Sequence, residues 1–231
     1  MSRIINIIGN SGAGKSILAL NLGISLANQG RDVIVVDANI YSPDILNYSD
    51  ISPGVFLNDF LRGEKRIEET IAMHPSGIKM IASLAEEEHD IKKHHKINRG
   101  LLSLIGKSEV ILVDSFFHSP AVSALGDIAD DTIFVTNDDY ASILKTKESI
   151  DRLEKQGISI IGIIVNKRRK KGIDLKHLEA ILQKKIIGEI PYDERIIESV
   201  NAKQPFYLRY SNSRASRGIR QIAELINFWN R

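Results

Sequence analysis

The sequence predicts a single-domain α/β fold, with a mostly parallel central sheet and helices on both faces. Short β-branched runs alternate with longer amphipathic segments along the 231 residues, the pattern of strands joined by crossover helices. Several of the runs are apolar throughout rather than alternating, as strands covered on both faces are. No internal repeat, low-complexity tract or Pro/Gly-rich linker divides the chain, so residues 1–231 read as one domain.

In chain order, Ile4–Ile8 is the first strand, ended by Gly9, and a helix runs from near Ser16 to Asn28, closing at Gly30. Val33–Asp37 is the second strand. Helices are expected near Phe56 and Ile67, then a strand over Ile78–Ala82 and a helix near Asn98. The strands Val110–Asp114 and Thr132–Thr136 follow, then a helix from Tyr140. Ile158–Val165 is the next strand run, ahead of a helix near Leu175, a short strand Ile186–Gly188 and helices near Glu194 and Ser213. In the last helix Ile219, Ile222, Ala223, Ile226 and Trp229 recur at helical spacing, a stripe expected to face the core.

Composition excludes several classes. The 31 basic and 29 acidic residues give a net charge of +2, so no global field argues for nucleic acid. Zero cysteines rule out disulfides, thiolate metal sites and cysteine-ligated iron–sulfur clusters within this chain, and suit a reducing compartment. The apolar stretch after Arg3 is too short for a secretory signal. No apolar run approaches the roughly 20 residues of a membrane span. A cytoplasmic protein, at most peripheral at a membrane, is expected.

The most informative segment is Gly9-Asn10-Ser11-Gly12-Ala13-Gly14-Lys15-Ser16, with Ile17 beside it. It has the form G-x-x-x-x-G-K-S between a strand and a helix, the context a phosphate-binding loop requires. Glycines let successive N–H groups turn inward as an anion nest, and the helix adds its N-terminal partial charge. Lys15 supplies a cation for β- and γ-phosphates, and the Ser16 hydroxyl can ligate Mg²⁺. Two carboxylates end strands nearby in such a fold, Asp37 and Asp114, where ligands of open α/β sheets bind. Each could hold Mg²⁺ through its water shell; the alternative for each is a polar strand end capping a loop.

An ordered set of further segments accompanies the loop. It comprises Val35-Val36-Asp37-Ala38-Asn39 with Pro43, Phe60-Leu61-Arg62-Gly63 with His74-Pro75-Ser76-Gly77, and Ile111-Leu112-Val113-Asp114. It continues with Val135-Thr136-Asn137, Val165-Asn166-Lys167, Ile190-Pro191-Tyr192-Asp193 and Ser211-Asn212-Ser213-Arg214-Ala215-Ser216-Arg217. Over nearly the whole chain this set resembles the MinD/ParA family of P-loop ATPases, and within it an archaeal MinD-like branch. The resemblance implies a P-loop NTPase fold, ATP or ADP with Mg²⁺ as ligands, and a homodimer formed with nucleotide. It also implies a protein partner. Asn166 would read the adenine edge, for which its amide offers both a donor and an acceptor; a strand-ending turn residue is the other reading. Pro191, Tyr192 and Asp193 would lie against the base.

Three departures from the family pattern bear on chemistry. Where relatives carry a lysine that reaches across to a dimer partner's phosphates, this chain has Asn10. Where they carry Asp-x-Asp, the second aspartate orienting the attacking water, it has Asp37-Ala38-Asn39, and an amide is a far weaker proton acceptor. The switch segment Asp-x-Pro-x-Gly is replaced by Asp114-Ser115-Phe116-Phe117-His118. Lys15, Asn39 and Asp114 are the residues assigned to the chemistry, with ATP binding retained and hydrolysis slow or absent. His118 is a candidate donor to the γ-phosphate or a solvent-facing loop residue.

The remaining features are read more plainly. The run Lys167-Arg168-Arg169-Lys170-Lys171 could meet nucleic acid or an anionic membrane, but a solvated connection is favoured. Lys92-Lys93-His94-His95-Lys96 is read as an exposed segment; the spacing of His89, His94 and His95 does not put three metal ligands on one helical face. The expected function is a nucleotide-dependent spatial or assembly regulator. The alternative is a competent switch ATPase that dimerises with nucleotide, with kinase-type and iron–sulfur-carrier relatives ranked below.

Overall fold

A computed structural model describes residues 2–86, 91–115 and 125–229, and it builds the chain around one eight-stranded sheet. The strands are β1 (Arg3–Gly9), β2 (Val33–Asp37), β3 (Ala72–Met73), β4 (Lys79–Ile81), β5 (Val110–Asp114), β6 (Asp131–Asn137), β7 (Ile160–Arg168) and β8 (Ile186–Pro191). Their spatial order is β3-β4-β2-β5-β1-β6-β7-β8, with every pairing parallel except β3 on β4. The helices are α1 (Lys15–Asn28), α2 (Leu57–Arg62), α3 (Ile91–Ser103), α4 (Tyr140–Lys155), α5 (Leu175–Leu182), α6 (Arg195–Asn201), α7 (Phe206–Arg209) and α8 (Arg214–Trp229).

Alternation along the strands sorts side chains to two faces. From β1, β2 and β5, Ile5, Ile7, Val33, Val35, Val110 and Leu112 pack under α1 and α8, against Leu18, Leu22, Ile222 and Ile226. Their neighbours Ile4, Ile34, Val36, Ile111 and Val113 face the other way, onto Leu57, Ile97 and Leu101 of α2 and α3. Ile8, Phe134, Ile163 and Val165 meet Ile143, Ile150, Leu178 and Leu182 of α4 and α5 on that second side. Two-sided burial explains the continuous apolar strand runs, and α8 does turn its stripe to the core, with Ile219, Ile222, Ala223 and Ile226 buried.

Two readings need correction. The helix placed near Asn98 already spans Ile91–Ser103. Its basic first half is one polar stretch of an amphipathic helix whose apolar face is Ile97, Leu101 and the following Leu104, all buried. The helix expected from Ile67 is a single 3-10 turn, Ile67–Thr70. The two-residue strand β3 was invisible beforehand, being formed only by a hairpin at His74–Gly77 that returns the chain onto β4.

Candidate functional site

Parallel strands end at one edge, and that edge gathers the candidates. Gly9 ends β1, Asp37 and Asp114 end β2 and β5 as register partners, and Asn166 lies near the end of β7. β1 sits between β5 and β6, so the loop after it opens at the place where chain connections diverge to either side, the usual crevice of such sheets. Residues 10–14 turn back on themselves, with the Ala13 N–H donating to the Asn10 carbonyl at 3.2 Å, and α1 starts at Lys15.

Two glycines are sterically required here. A Cβ on Gly9 would stand 2.3 Å from the Val135 carbonyl oxygen, on backbone that cannot swing aside. Gly14 has φ 87°, left-handed, and a Cβ there would meet Asn166 Nδ2 at 2.5 Å. Gly14→Ala is therefore expected to lower stability by about 1–3 kcal/mol through left-handed strain and displacement of Asn166. A urea midpoint unchanged from wild type would refute that.

Lys15 and Ser16 are both buried, and Lys15 Nζ lies 3.4 Å from the Asn10 carbonyl. Burial pulls the Lys15 ammonium below its usual range, while Asp114 and Asp44 oppose that by attraction. Asp114 is fully buried, and neither carboxylate oxygen has a hydrogen-bond partner in the described chain. Burial pushes it up to about 6, opposed by the Ser16 hydroxyl, which lies near but outside hydrogen-bond geometry, and by Lys15. A buried carboxylate with both oxygens unmet, next to the Ser16 hydroxyl, offers the oxygen ligands that a hydrated Mg²⁺ takes, while the Lys15 ammonium is no metal ligand and suits a phosphate.

Asp37 differs. Its oxygens accept from the backbone N–H groups of Asn39 (3.2 Å), Asp44 (3.1 Å) and Ile45 (3.1 Å). Burial and the neighbouring Asp114 charge still raise its pKa well above the carboxylate range, against those three donors. In this arrangement Asp37 caps the loop after β2, the second of its two sequence readings. Asn39 is likewise occupied: its amide donates to the Ser42 carbonyl and its oxygen accepts from the Ser42 N–H at 3.4 Å. It closes a turn instead of presenting a free polar group.

Asn10 is turned inward. Its Nδ2 donates to Thr146 Oγ1 at 3.2 Å, and Thr146 continues to Thr136 Oγ1 at 2.8 Å; its Oδ1 lies 3.2 Å from Ser149 Oγ, whose one proton it shares with the nearer Lys145 carbonyl at 2.7 Å. The phosphate loop is thereby tied to α4 of its own chain. Asn166 Nδ2 donates to the Ala13 carbonyl at 2.8 Å, and its Oδ1 accepts from the Lys167 N–H at 2.8 Å. Beside it lies a cavity of about 370 Å³. Ile17, Asn166, Pro191, Tyr192 and Asp193 line it, together with Tyr48, Lys167, Ile196, Ile197 and Val200. Its walls are mainly apolar, as a slot for a flat base would be. The Arg195 guanidinium bonds the Asp193 carboxylate at 2.6 and 2.8 Å and holds it below the usual range, burial opposing.

Of the second group, Lys167 stood out in the sequence as the start of the basic run directly after Asn166, whereas Tyr48, Ile196, Ile197 and Val200 did not. Ile196, Ile197 and Val200 are one side of the short helix α6, legible as an apolar i, i+1, i+4 set next to Pro191–Asp193. Tyr48 gives no sequence signal, since only the fold brings its 3-10 turn there. The basic run is partly spent internally: Lys167 turns onto the phosphate loop, and Arg168 pairs with Asp138 (2.7 Å) and Glu189 (3.1 Å). Residues 116–118 of the switch segment, including His118, lie outside the described residues, as does His89. Among the described residues no group of three or more potential metal ligands occurs, and no helix is long and apolar enough to cross a membrane.

Comparison with known proteins bears on the family and the fold. A family model described as the CobQ/CobB/MinD/ParA nucleotide binding domain matches residues 4–206. An uncharacterized ATP-binding protein of Methanocaldococcus jannaschii is 29% identical over 221 residues, covering 93% of this chain and 83% of that protein. Among solved structures, the cell division ATPase MinD of Pyrococcus furiosus superposes with a TM-score of 0.87 at 27% identity, over 99% of this chain and 100% of that one. The septum site-determining protein MinD of Pyrococcus horikoshii, complexed with Mg-ADP, does so with a TM-score of 0.84 at 27% identity, over 98% and 96%.

Proposed function

The chain belongs to the CobQ/CobB/MinD/ParA nucleotide-binding family, and from that premise we propose that it binds Mg·ATP at Gly9–Ser16 and turns it over slowly or not at all. Its role would be that of a nucleotide-dependent spatial or assembly regulator, with ATP controlling self-association or docking of a protein partner. The observation that carries this reading is Asn10, whose amide is committed to Thr146 and Ser149 of the same chain. A neutral side chain so held neither carries the charge nor is free to reach another subunit's phosphates.

The assignments around the nucleotide follow from chemistry. N–H groups of the loop and of the first turn of α1 would hold the phosphates, with Lys15 as their cation. Ser16 and Asp114 would hold Mg²⁺, with Asp37 behind them, because Asp114 is a buried carboxylate lacking any other described partner. Held by these residues, Mg²⁺ would supply positive charge against that of the phosphates. The base would enter the cavity beside Asn166 and Tyr192. The MinD solved with Mg-ADP supports this choice of ligands.

Phosphoryl transfer depends on positioning and charge stabilisation. With Asn10 engaged in cis and Asn39 closing its own turn, neither helps a water attack. Turnover of the purified chain is expected on the order of 10⁻³ s⁻¹ or slower, the range of P-loop NTPases without a cationic finger. A steady-state phosphate-release assay, run beside light scattering with and without Mg·ATP, checks this. Turnover of about 1 s⁻¹ or faster, accompanied by a nucleotide-driven dimer, would establish the switch-ATPase alternative. No detectable ATP binding would remove the nucleotide reading itself.

A further inference from the structure

We propose that Lys167 is a clamp on the phosphate loop and sets how long a nucleotide stays bound, an inference that rests on the nucleotide-binding reading of this site. Lys167 directly follows Asn166 near the end of β7, and its backbone is left-handed at φ 54°. That conformation is uncommon for a side-chain-bearing residue and persists only where the surroundings fix it. Here they do. The next residue, Arg168, is paired with Asp138 and Glu189, and its carbonyl accepts from the Tyr192 N–H at 2.9 Å.

The turn sends the lysine back over the loop, where Nζ donates to the Gly12 carbonyl at 2.7 Å. Asn166 Nδ2 holds the adjacent Ala13 carbonyl at 2.8 Å. Two consecutive side chains at one strand end thus grip two consecutive carbonyls of the loop. An anion nest works only when its N–H groups converge, and each peptide plane orients its N–H opposite to its carbonyl. Fixing the Gly12 carbonyl therefore holds the following N–H, that of Ala13, on the Asn10 carbonyl and closes the turn, and fixing the Ala13 carbonyl sets the direction of the Gly14 N–H. The grip preorganises the loop before any phosphate arrives, which lowers the ordering cost of binding.

Lys167 has a second contact with the same event, since its side chain also lines the 370 Å³ cavity with Ile17 and Tyr192. A base seated there would lie along the lysine stem, so loosening the clamp would open the phosphate and base ends together. In the run of five basic residues, Lys167 is hydrogen-bonded to the phosphate loop, Arg168 is spent on Asp138 and Glu189, and residues 169–171 are exposed. Lys167 touches no reacting atom in this scheme and is a positioning residue.

The test is the dissociation rate of a fluorescent ADP analogue with Mg²⁺, chased by excess ADP in a stopped-flow instrument, for wild type, Lys167→Ala and Lys167→Arg. Competition by Mg·tripolyphosphate, which has no base, is measured alongside. Lys167→Ala is expected to release the analogue about tenfold faster, the equivalent of one charge-assisted hydrogen bond. It should weaken tripolyphosphate by a similar factor, while the variant still unfolds in one cooperative urea transition in the absence of ligand. Lys167→Arg, which can still donate to Gly12, restores most of the loss. An unchanged release rate in Lys167→Ala overturns the proposal. A loss confined to the ADP analogue, with tripolyphosphate unaffected, also overturns it, because it reduces Lys167 to a wall of the base pocket. If wild type itself fails to bind the analogue, the nucleotide reading falls first and the clamp with it.

Discussion

Asp114→Asn without ligand unfolds at a higher urea concentration than wild type at pH 7, and it gains little from Mg·ATP. The reason lies in a buried charge that Lys15 offsets only in part. Both Asp114 oxygens are buried without a hydrogen-bond partner in the described chain, and burial raises the group from 3.8 to about 6. Keeping it ionised in the folded state at pH 7 costs about 3 kcal/mol on that shift. An amide of the same shape escapes most of that cost. Its removal also relieves Asp37, whose pKa is raised partly by the Asp114 charge.

The pH dependence has a definite sign. Between about 4 and 6 the folded protein keeps a proton on Asp114 that the unfolded chain has released. Its contribution is therefore greatest at low pH and is lost as pH rises through about 6; Asp37 acts in the same direction. Asp139 and Asp193, held below the usual range chiefly by Ser142 and Arg195, slope the opposite way. The difference between wild type and Asp114→Asn, measured by urea unfolding from pH 4.5 to 7.5, isolates the Asp114 share and should widen with pH. Wild type at a hundred times the Kd of Mg·ATP gains about 2.7 kcal/mol, and the variant gains much less. A variant less stable than wild type at pH 7, or one with the full Mg·ATP shift, contradicts the assignment.

Lys15→Met is expected to weaken ATP binding by on the order of 100-fold or more, or about 2.7 kcal/mol, while the ligand-free fold persists. Lys15 is buried at the start of α1, with its ammonium already below its usual range through burial. Its charge is stabilised mainly by Asp114 and Asp44, and it would meet a far larger negative charge once phosphates arrive. Methionine keeps the unbranched shape and fills the site without that charge. Isothermal titration with Mg·ATP gives the affinity, and a urea midpoint close to wild type shows that the loss is not one of folding. An affinity within about threefold of wild type, half a decade on the scale where tenfold is 1.4 kcal/mol, would remove Lys15 from phosphate binding.

Much of the site was written into local sequence. A phosphate loop is a contiguous device: its glycines, its lysine and the helix dipole beneath it act within eight residues, Gly9–Ser16. The carboxylates Asp37 and Asp114 were legible because an apolar run ending in Asp marks the open edge of a parallel sheet, and the two are register partners there. Even the departures at Asn10 and Asn39 were visible as residue types.

What those residues touch was not visible. That Asn10 faces Thr146 and Ser149, 136 and 139 positions away, is a consequence of β1 and β6 pairing and of α4 folding over them. Asp37 and Asn39 spend their polar atoms on the loop that follows them, a choice between two readings that sequence left open. The α3 start was misplaced because a basic stretch looks the same whether it is a solvated segment or the polar face of a helix; only packing of Ile97 and Leu101 decides. Lys167 shows the division most plainly. Its charge was counted in the sequence as one of five, whereas its left-handed turn onto the Gly12 carbonyl exists only once β7 is anchored beside the loop. Sequence alone determined the fold class and singled out the candidate phosphate loop, because periodicity and contiguous motifs are local. Tertiary structure decided which donors are free and which are spent, because hydrogen bonds between distant residues depend on where the sheet brings them.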